Sequence, residues 1–86
     1  MQEPIVIYSF QKNPEEEVRF CFREYKDRRY LDLRLWFHSS SGEDYFPTKK
    51  GITLSLDYLS ELKKGLEMAA KYASKMALQE SSNSVK

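Results

Sequence analysis

The sequence predicts an α+β fold: a four-stranded antiparallel sheet followed by one long C-terminal helix, in the order β-β-β-β-α. Two periods carry that prediction. Between Val18 and Phe37 apolar and polar residues alternate, in two segments joined at Lys26-Asp27-Arg28. Successive side chains on a strand point to opposite faces, so each segment has one greasy side and one polar side. From Leu56 onward the period lengthens. Leu59, Leu62, Leu66, Ala69, Ala73 and Met76 recur at spacings of three and four, the mark of an amphipathic helix.

Taken in order, Pro4 to Phe10 is apolar and β-branched behind a proline. It reads as an edge strand or an arm that pairs with another subunit, an N-terminal strand additional to the four. Lys12 to Glu17 reads as a turn and a solvated acidic loop. Val18–Lys26 and Arg28–His38 are the central strands, and so short a connection makes them an antiparallel hairpin. Ser39 to Gly42 is a breaker cluster, Glu43 to Phe46 a short third strand, and Pro47 to Gly51 a second turn with paired lysines. Ile52, Leu54 and Leu56 alternate with Thr53 and Ser55 in a fourth strand. Ser55 is placed to cap the helix, with Asp57 in its first turn. The apolar stripe is expected to lie over one sheet face, because a single sheet has no other way to bury its apolar side. Gly65 inside the helix costs about 1 kcal/mol relative to Ala, a cost that close packing against a neighbour would explain. Helicity is expected to fade near Leu78. One domain therefore covers 1–78, with 1–17 as its arm or edge strand and a disordered tail at 79–86.

Eighty-six residues, 41% of them hydrophobic and 31% charged, suffice for one small domain. A chain this short buries a modest fraction of its surface, and its single cysteine, Cys21, rules out an internal disulfide. Homodimerisation is the natural remedy, and Cys21 reads as a reduced, partly buried strand residue. The start MQEPIVIYSF lacks the basic region and long apolar run of a signal peptide, and no segment approaches membrane-spanning length. A lone His38 beside a serine cluster has no nucleophile turn to go with it. One His and one Cys fit no zinc spacing, and Gly51 precedes a strand instead of a phosphate-cradling helix. No catalytic residue, metal site or cofactor is expected.

The net charge of +1 says little about partners, but its distribution says more. Arg19 to Arg34 carries six basic residues against three acidic ones, and a local patch can steer a polyanion even on a near-neutral protein. The polar sides of the two central strands hold Arg19, Arg23 and Tyr25, then Tyr30, Arg34 and Trp36. Guanidinium groups interleaved with flat rings suit an unpaired nucleic-acid strand, the cations meeting phosphates and the rings meeting bases. Read from the residues alone, that face is either such a surface or a solvated strand face with incidental aromatics. Trp36 is either a stacking residue or part of a core or dimer interface.

Three motifs then occur in order: Arg23-Glu24-Tyr25-Lys26, Tyr30-Leu31-Asp32-Leu33-Arg34, and Pro47-Thr48-Lys49-Lys50-Gly51-Ile52-Thr53-Leu54-Ser55. Together they resemble the C-terminal domain of the transcriptional coactivator positive cofactor four and its short bacterial and phage relatives, over roughly Val18 to Ala70. The resemblance implies a Whirly-like homodimer that binds single-stranded DNA, or melted duplex, with little sequence preference. It implies contacts from Tyr25, Lys26, Arg28, Arg34, Lys49 and Lys50, with Arg23 beside them and an aromatic at Trp36 or Phe37. Strict alternation puts Trp36 on the Arg34 face and Phe37 in the core, and a bulge would reverse them. The chain departs from some relatives at Phe46, where they have a lysine, and in a loop from Ser39 to Asp44 that is about one residue longer by matching the flanking signals. The coactivator's Ser- and acid-rich regulatory arm is absent, which favours a bacterial or phage version.

The reading is therefore a non-enzymatic, sequence-tolerant single-stranded DNA-binding protein serving transcription regulation, replication or repair. Its partners would be DNA, a second copy and the transcription or replication machinery, with no membrane. Its place would be cytoplasmic and nucleoid-associated in a bacterium or phage, nuclear in a eukaryote. The alternatives are a single-stranded RNA binder on the same fold and a protein-interaction module docking through the helix or Ile5-Val6-Ile7.

Overall fold

A computed structural model of the chain describes residues 4–39 and 41–83, the side chains of 78–83 excepted. Strands β1 (Ile5–Asn13), β2 (Glu16–Tyr25), β3 (Arg28–Phe37) and β4 (Phe46–Ser55) form one antiparallel sheet in sequence order. A 3-10 turn, Leu56–Tyr58, leads into the helix α1, Leu59–Asn83.

The expected architecture is present, but its four strands are not the four expected. The N-terminal strand pairs with β2 of its own subunit and is one of the four. No separate strand forms at 43–46, and the turn expected at 47–51 lies inside β4. The acidic loop is also shorter than expected. The Asn13 side-chain oxygen accepts the amides of Glu15 and Glu16 at 3.0 and 2.9 Å, an Asx turn that reverses the chain at once. Glu16 and Glu17 consequently belong to β2.

Between β2 and β3 the connection is two residues, Lys26 and Asp27, with φ of 50° and 64°. Two successive left-handed residues make the turn whose twist matches a hairpin. β1 carries a bulge: Val6 pairs with Cys21 and Tyr8 with Phe20, leaving Ile7 between them. Two residues of a bulged strand oppose one of its partner, and Ile7 and Tyr8 line the same groove on the apolar face. β4 is bulged more strongly. Gly51 pairs with Arg34 and Pro47 with Trp36, so Thr48, Lys49 and Lys50 together face the single residue Leu35. Gly51 is required there: a Cβ at that position would lie 2.7 Å from the Leu33 carbonyl oxygen and 2.8 Å from the Arg34 Cβ.

Ser55 caps as expected, its hydroxyl accepting the Asp57 amide at 3.2 Å, but it caps the 3-10 turn. The helix also outruns the expected end at Leu78 and reaches Asn83. No Gly or Pro stands in 79–83 to stop it, and residues 84–86 of the expected tail lie outside the described residues.

The larger correction concerns the helix stripe, which does not seal the sheet. Leu66, Met68, Tyr72 and Met76 are exposed, and an open groove of about 600 Å³ separates Leu59, Leu62 and Leu66 from Phe20, Phe22 and Tyr8. The buried apolar residues are Cys21, Leu31 and Leu35 alone among those described. A Cβ at Gly65 meets nothing within 4 Å, so no neighbour among the described residues explains that glycine. The shape agrees. The radius of gyration is 16.9 Å, against about 12 Å for a compact chain of this length. The accessible surface is 7344 Å², against about 5,300 Å² for a monomer of this mass. A single chain was expected to bury its own apolar face, and this chain does not. No helix among the described residues is long and apolar enough to cross a membrane.

Candidate nucleic-acid interface

Cross-strand pairing sorts the polar face into rows. Tyr25 lies opposite Arg28, Arg23 opposite Tyr30, Cys21 opposite Asp32, Arg19 opposite Arg34 and Glu17 opposite Trp36. β4 extends four of these rows with Ser55, Thr53, Gly51 and, beyond the bulge, Pro47. From Arg28 to Arg34 the face runs about 20 Å along β3.

The middle row is the most deeply buried place in the molecule. Asp32 is 1% exposed and Cys21 0%. A buried carboxylate must be paired and hydrogen-bonded, and Asp32 is both. Its Oδ1 accepts Arg34 Nη2 at 2.9 Å and the Thr53 hydroxyl at 2.6 Å, and its Oδ2 accepts Arg34 Nε at 3.1 Å. Arg23 Nε approaches Oδ2 at 3.8 Å. Burial pushes the Asp32 carboxyl up, but the hydrogen bonds from Arg34 and Thr53 and the charges of Arg34 and Arg23 outweigh it, so its pKa lies below the usual value. The hydrogen bond to Asp32 raises the Arg34 pKa, and burial raises that of the Cys21 thiol, with the Asp32 charge adding to it.

Arg34 also donates Nη1 to the Thr48 carbonyl at 2.9 Å. The Thr48 hydroxyl donates to the Leu35 carbonyl at 2.8 Å and accepts the Lys50 amide at 3.1 Å. The β4 bulge is thus latched to β3 through one guanidinium and one hydroxyl.

At the far end the polar face is covered. The Arg19 guanidinium lies 4.4 Å from the Trp36 ring centre and 4.9 Å from that of Tyr45, and it is paired with Glu17. Tyr45 is held over this end by Gln11, which donates to its hydroxyl at 3.3 Å, and by His38 packed edge-on 4.4 Å away. Trp36 Nε1 is buried with no hydrogen-bond partner among the described residues.

The hairpin end is open. The Tyr25 ring is 52% exposed, and Lys26 Nζ sits 5.3 Å from its centre. Among the described residues Lys26, Arg28, Arg29, Lys49 and Lys50 form no ion pair, and all five are exposed.

The structure therefore brings Arg23, Tyr25, Lys26 and Arg28 together at the hairpin and presents Lys49 and Lys50 on the β4 bulge. Arg34 lies between the two groups, its guanidinium committed to Asp32 and Thr48. Trp36 is on the Arg34 face beneath Arg19. The β2–β3 register is unbroken through this region, because the bulge is in β4, so alternation holds and Phe37 points to the other side, paired with Phe46. Tyr45, Thr48 and Thr53 were not among the expected site residues, and Arg19, expected among the cations of this face, is stacked on Trp36 and Tyr45 and paired with Glu17. Asp32 was legible as an acid placed mid-strand on a basic face, the signal of a partner network. Tyr45 lies in a loop, where no periodicity assigns a side chain to a face.

A four-stranded meander followed by one long helix, with one sheet face lined by cations and aromatics, defines a class of sheet-based nucleic-acid-binding proteins. Within that class the chain belongs to the transcriptional coactivator p15 (PC4) family, whose model matches residues 12–65. It is similar to a PC4 homologue from Burkholderia pseudomallei in two crystal forms, at 31% identity. One form superposes with a TM-score of 0.73 over 81% of this chain and 93% of that one, the other with 0.74 over 79% and 98%. The bacteriophage T5 homologue of the eukaryotic coactivator shares the fold at 19% identity, with a TM-score of 0.54 over 93% of this chain and 86% of that one. No curated protein sequence matches. The family gives the chain a nucleic-acid-binding role.

Proposed function

We propose that this chain is a homodimeric, sequence-tolerant single-stranded DNA-binding protein that works by non-covalent contact alone. The observation that carries the reading is the exposed Tyr25 ring beside Lys26 and Arg28, with Lys49 and Lys50 further along the same sheet, all outside the ion pairs that hold Arg19 and Arg34. Tyr25 stacks on a base, and Arg23, Lys26, Arg28, Lys49 and Lys50 meet phosphates. Stacking tolerates any base because every base has a π-face. The phage relative's implication in recombination-dependent DNA replication supports the assignment to DNA. In this reading residues 1–78 act as one domain, close to the DNA wherever the protein resides.

The second copy follows from the open apolar groove and the excess surface. About 2,000 Å² per chain beyond the monomer expectation corresponds to about 4,000 Å² in a pair, within the range of obligate homodimers. The helix stripe of one copy fills the sheet groove of the other.

Two measurements test this. Sedimentation equilibrium is expected to return twice the 10.2 kDa chain mass. Anisotropy titration with labelled oligo-dT across a salt series is expected to give binding that unlabelled duplex displaces poorly, with log K falling by about 0.7 per phosphate contact for each tenfold rise in salt. Absence of oligo-dT binding at low salt, or equal competition by duplex, overturns the reading, and preferential displacement by an RNA oligomer of matched sequence reassigns it to RNA.

A further inference from the structure

We infer that Arg34 is a positioning residue, which together with Asp32 and Thr48 fixes the β4 bulge so that Lys49 and Lys50 are presented to the strand, and is not itself a phosphate contact. The inference rests on the proposed nucleic-acid role of those lysines. Its grounds lie in the geometry. Arg34 spends Nε and Nη2 on the Asp32 carboxylate and Nη1 on the Thr48 carbonyl, and Nη2 also reaches the Thr53 hydroxyl at 3.4 Å. Its side chain is 19% exposed, against 1% for its carboxylate partner. The Asp32–Arg34 pair carries no net charge, so it offers a phosphate little Coulombic attraction.

The bulge depends on these contacts. Three β4 residues stand opposite one β3 residue, so the regular ladder cannot position Thr48, Lys49 and Lys50. Arg34 Nη1 and the Thr48 hydroxyl hold the segment in its place, and the same hydroxyl takes up the Lys50 amide that the ladder leaves over. Gly51 then brings β4 close against Arg34 in a way that any side chain would block. The planar fork of an arginine suits this task, since it joins a carboxylate and a carbonyl in fixed directions where a lysine offers one point charge.

The test is a charge-neutral variant. Thr48→Val removes the hydroxyl latch and no cation. Full-length wild type and variant are titrated with labelled oligo-dT from low to high salt. Loss of both lysine contacts makes the salt slope shallower by about 1.4, equivalent to about 25-fold weaker binding at 0.1 M salt that converges on wild type near 1 M. Arg34→Lys, which keeps the charge, is expected to show the same loss, and neither change is expected to add to Lys49→Ala/Lys50→Ala. Asp32→Asn has the opposite sign in the two cases: freeing Arg34 tightens binding if Arg34 meets phosphate, and loosening the bulge weakens it if Arg34 positions. Tighter binding by Asp32→Asn, or wild-type affinity and slope in Thr48→Val, overturns the inference. Amide exchange at Lys50 reads the latch without ligand. Faster exchange in Arg34→Lys within an otherwise protected sheet supports the inference, and unchanged exchange removes it. Should wild type itself fail to bind oligo-dT, it is the single-strand reading that falls, and the Lys50 amide still decides whether Arg34 holds the bulge.

Discussion

The two faces of the sheet invert the usual arrangement. The polar face contains the two most deeply buried side chains among those described, Asp32 and Cys21, and at its centre Arg23, Asp32 and Arg34 close into one network joined by Thr53 of β4, while the cations of the hairpin and the bulge stay unpaired among the described residues. The apolar face is left half open, with Phe20, Phe22 and the helix leucines lining a groove. The middle of one side is completed within a single chain by directional bonds, while the other side is left open. Hydrogen bonds and ion pairs have partners at fixed places, so a polar network can be complete in a flat, thin body. Apolar burial has no such addressing and scales with area, which one small sheet and a projecting helix do not supply.

The polar face is most sensitive at Asp32. Replacing it with alanine leaves the half-buried Arg34 without its carboxylate and opens a gap in the middle of the sheet, and is expected to cost about 3 kcal/mol, read as a lower urea midpoint. The same group sets the acid response. Its pKa in the folded state is below the unfolded value, so its contribution is complete above about pH 3.9 and is lost as pH falls through the folded value. Thermal stability is expected to hold down to about pH 4 and to fall below it, with this component of the fall missing in Asp32→Asn.

Next in size is the open face. Leu66 is 54% exposed in the single chain, so Leu66→Asp costs a monomer almost nothing. If a second copy covers the groove, the variant is expected to raise the dimer dissociation constant at least 100-fold, about 2.7 kcal/mol, measured by sedimentation. An unchanged mass distribution would mean the groove is not the interface.

Smaller effects belong to the hairpin, the open end of the polar face. Tyr25→Ala is expected to weaken oligo-dT binding by about 1–3 kcal/mol, equally for dT and mixed sequences and with unchanged melting. Lys26 sharpens the contrast between stability and function. It is a non-glycine residue at φ 50°, a conformation that costs about 1 kcal/mol. Lys26→Asn relieves the strain, because asparagine tolerates that region, and removes one cation. It is expected to raise the melting temperature while binding weakens and the salt slope falls by about 0.7. A variant that melts lower would show that the turn does not need a left-handed residue.

Much of this molecule was legible beforehand because two of its periods are local properties of the chain. Alternation from Val18 to Phe37 put Trp36 and Phe37 on opposite faces, and the unbroken β2–β3 register keeps them there. The three-four spacing from Leu59 identified the helix. Alternation likewise put Arg23 and Tyr25 on one face, whereas Lys26 and Arg28 entered through the family resemblance, and Lys26, expected at the end of a strand, stands in the turn. The start of β4 was misread because Pro47, paired lysines and Gly51 look like a turn, and a three-against-one bulge carries turn residues inside a strand.

Local pattern set which residues share a face and where the sheet gives way to helix, because each depends only on neighbours a few positions away. The tertiary structure alone decided which charges are already spent and whether the apolar side is closed. Arg34 lies fourteen residues from the Thr48 carbonyl it holds, and the helix that was expected to cover the sheet stands away from it. Contacts at such separation depend on pairing register, bulge size and the direction in which the helix leaves the sheet, and no local pattern of residues encodes those.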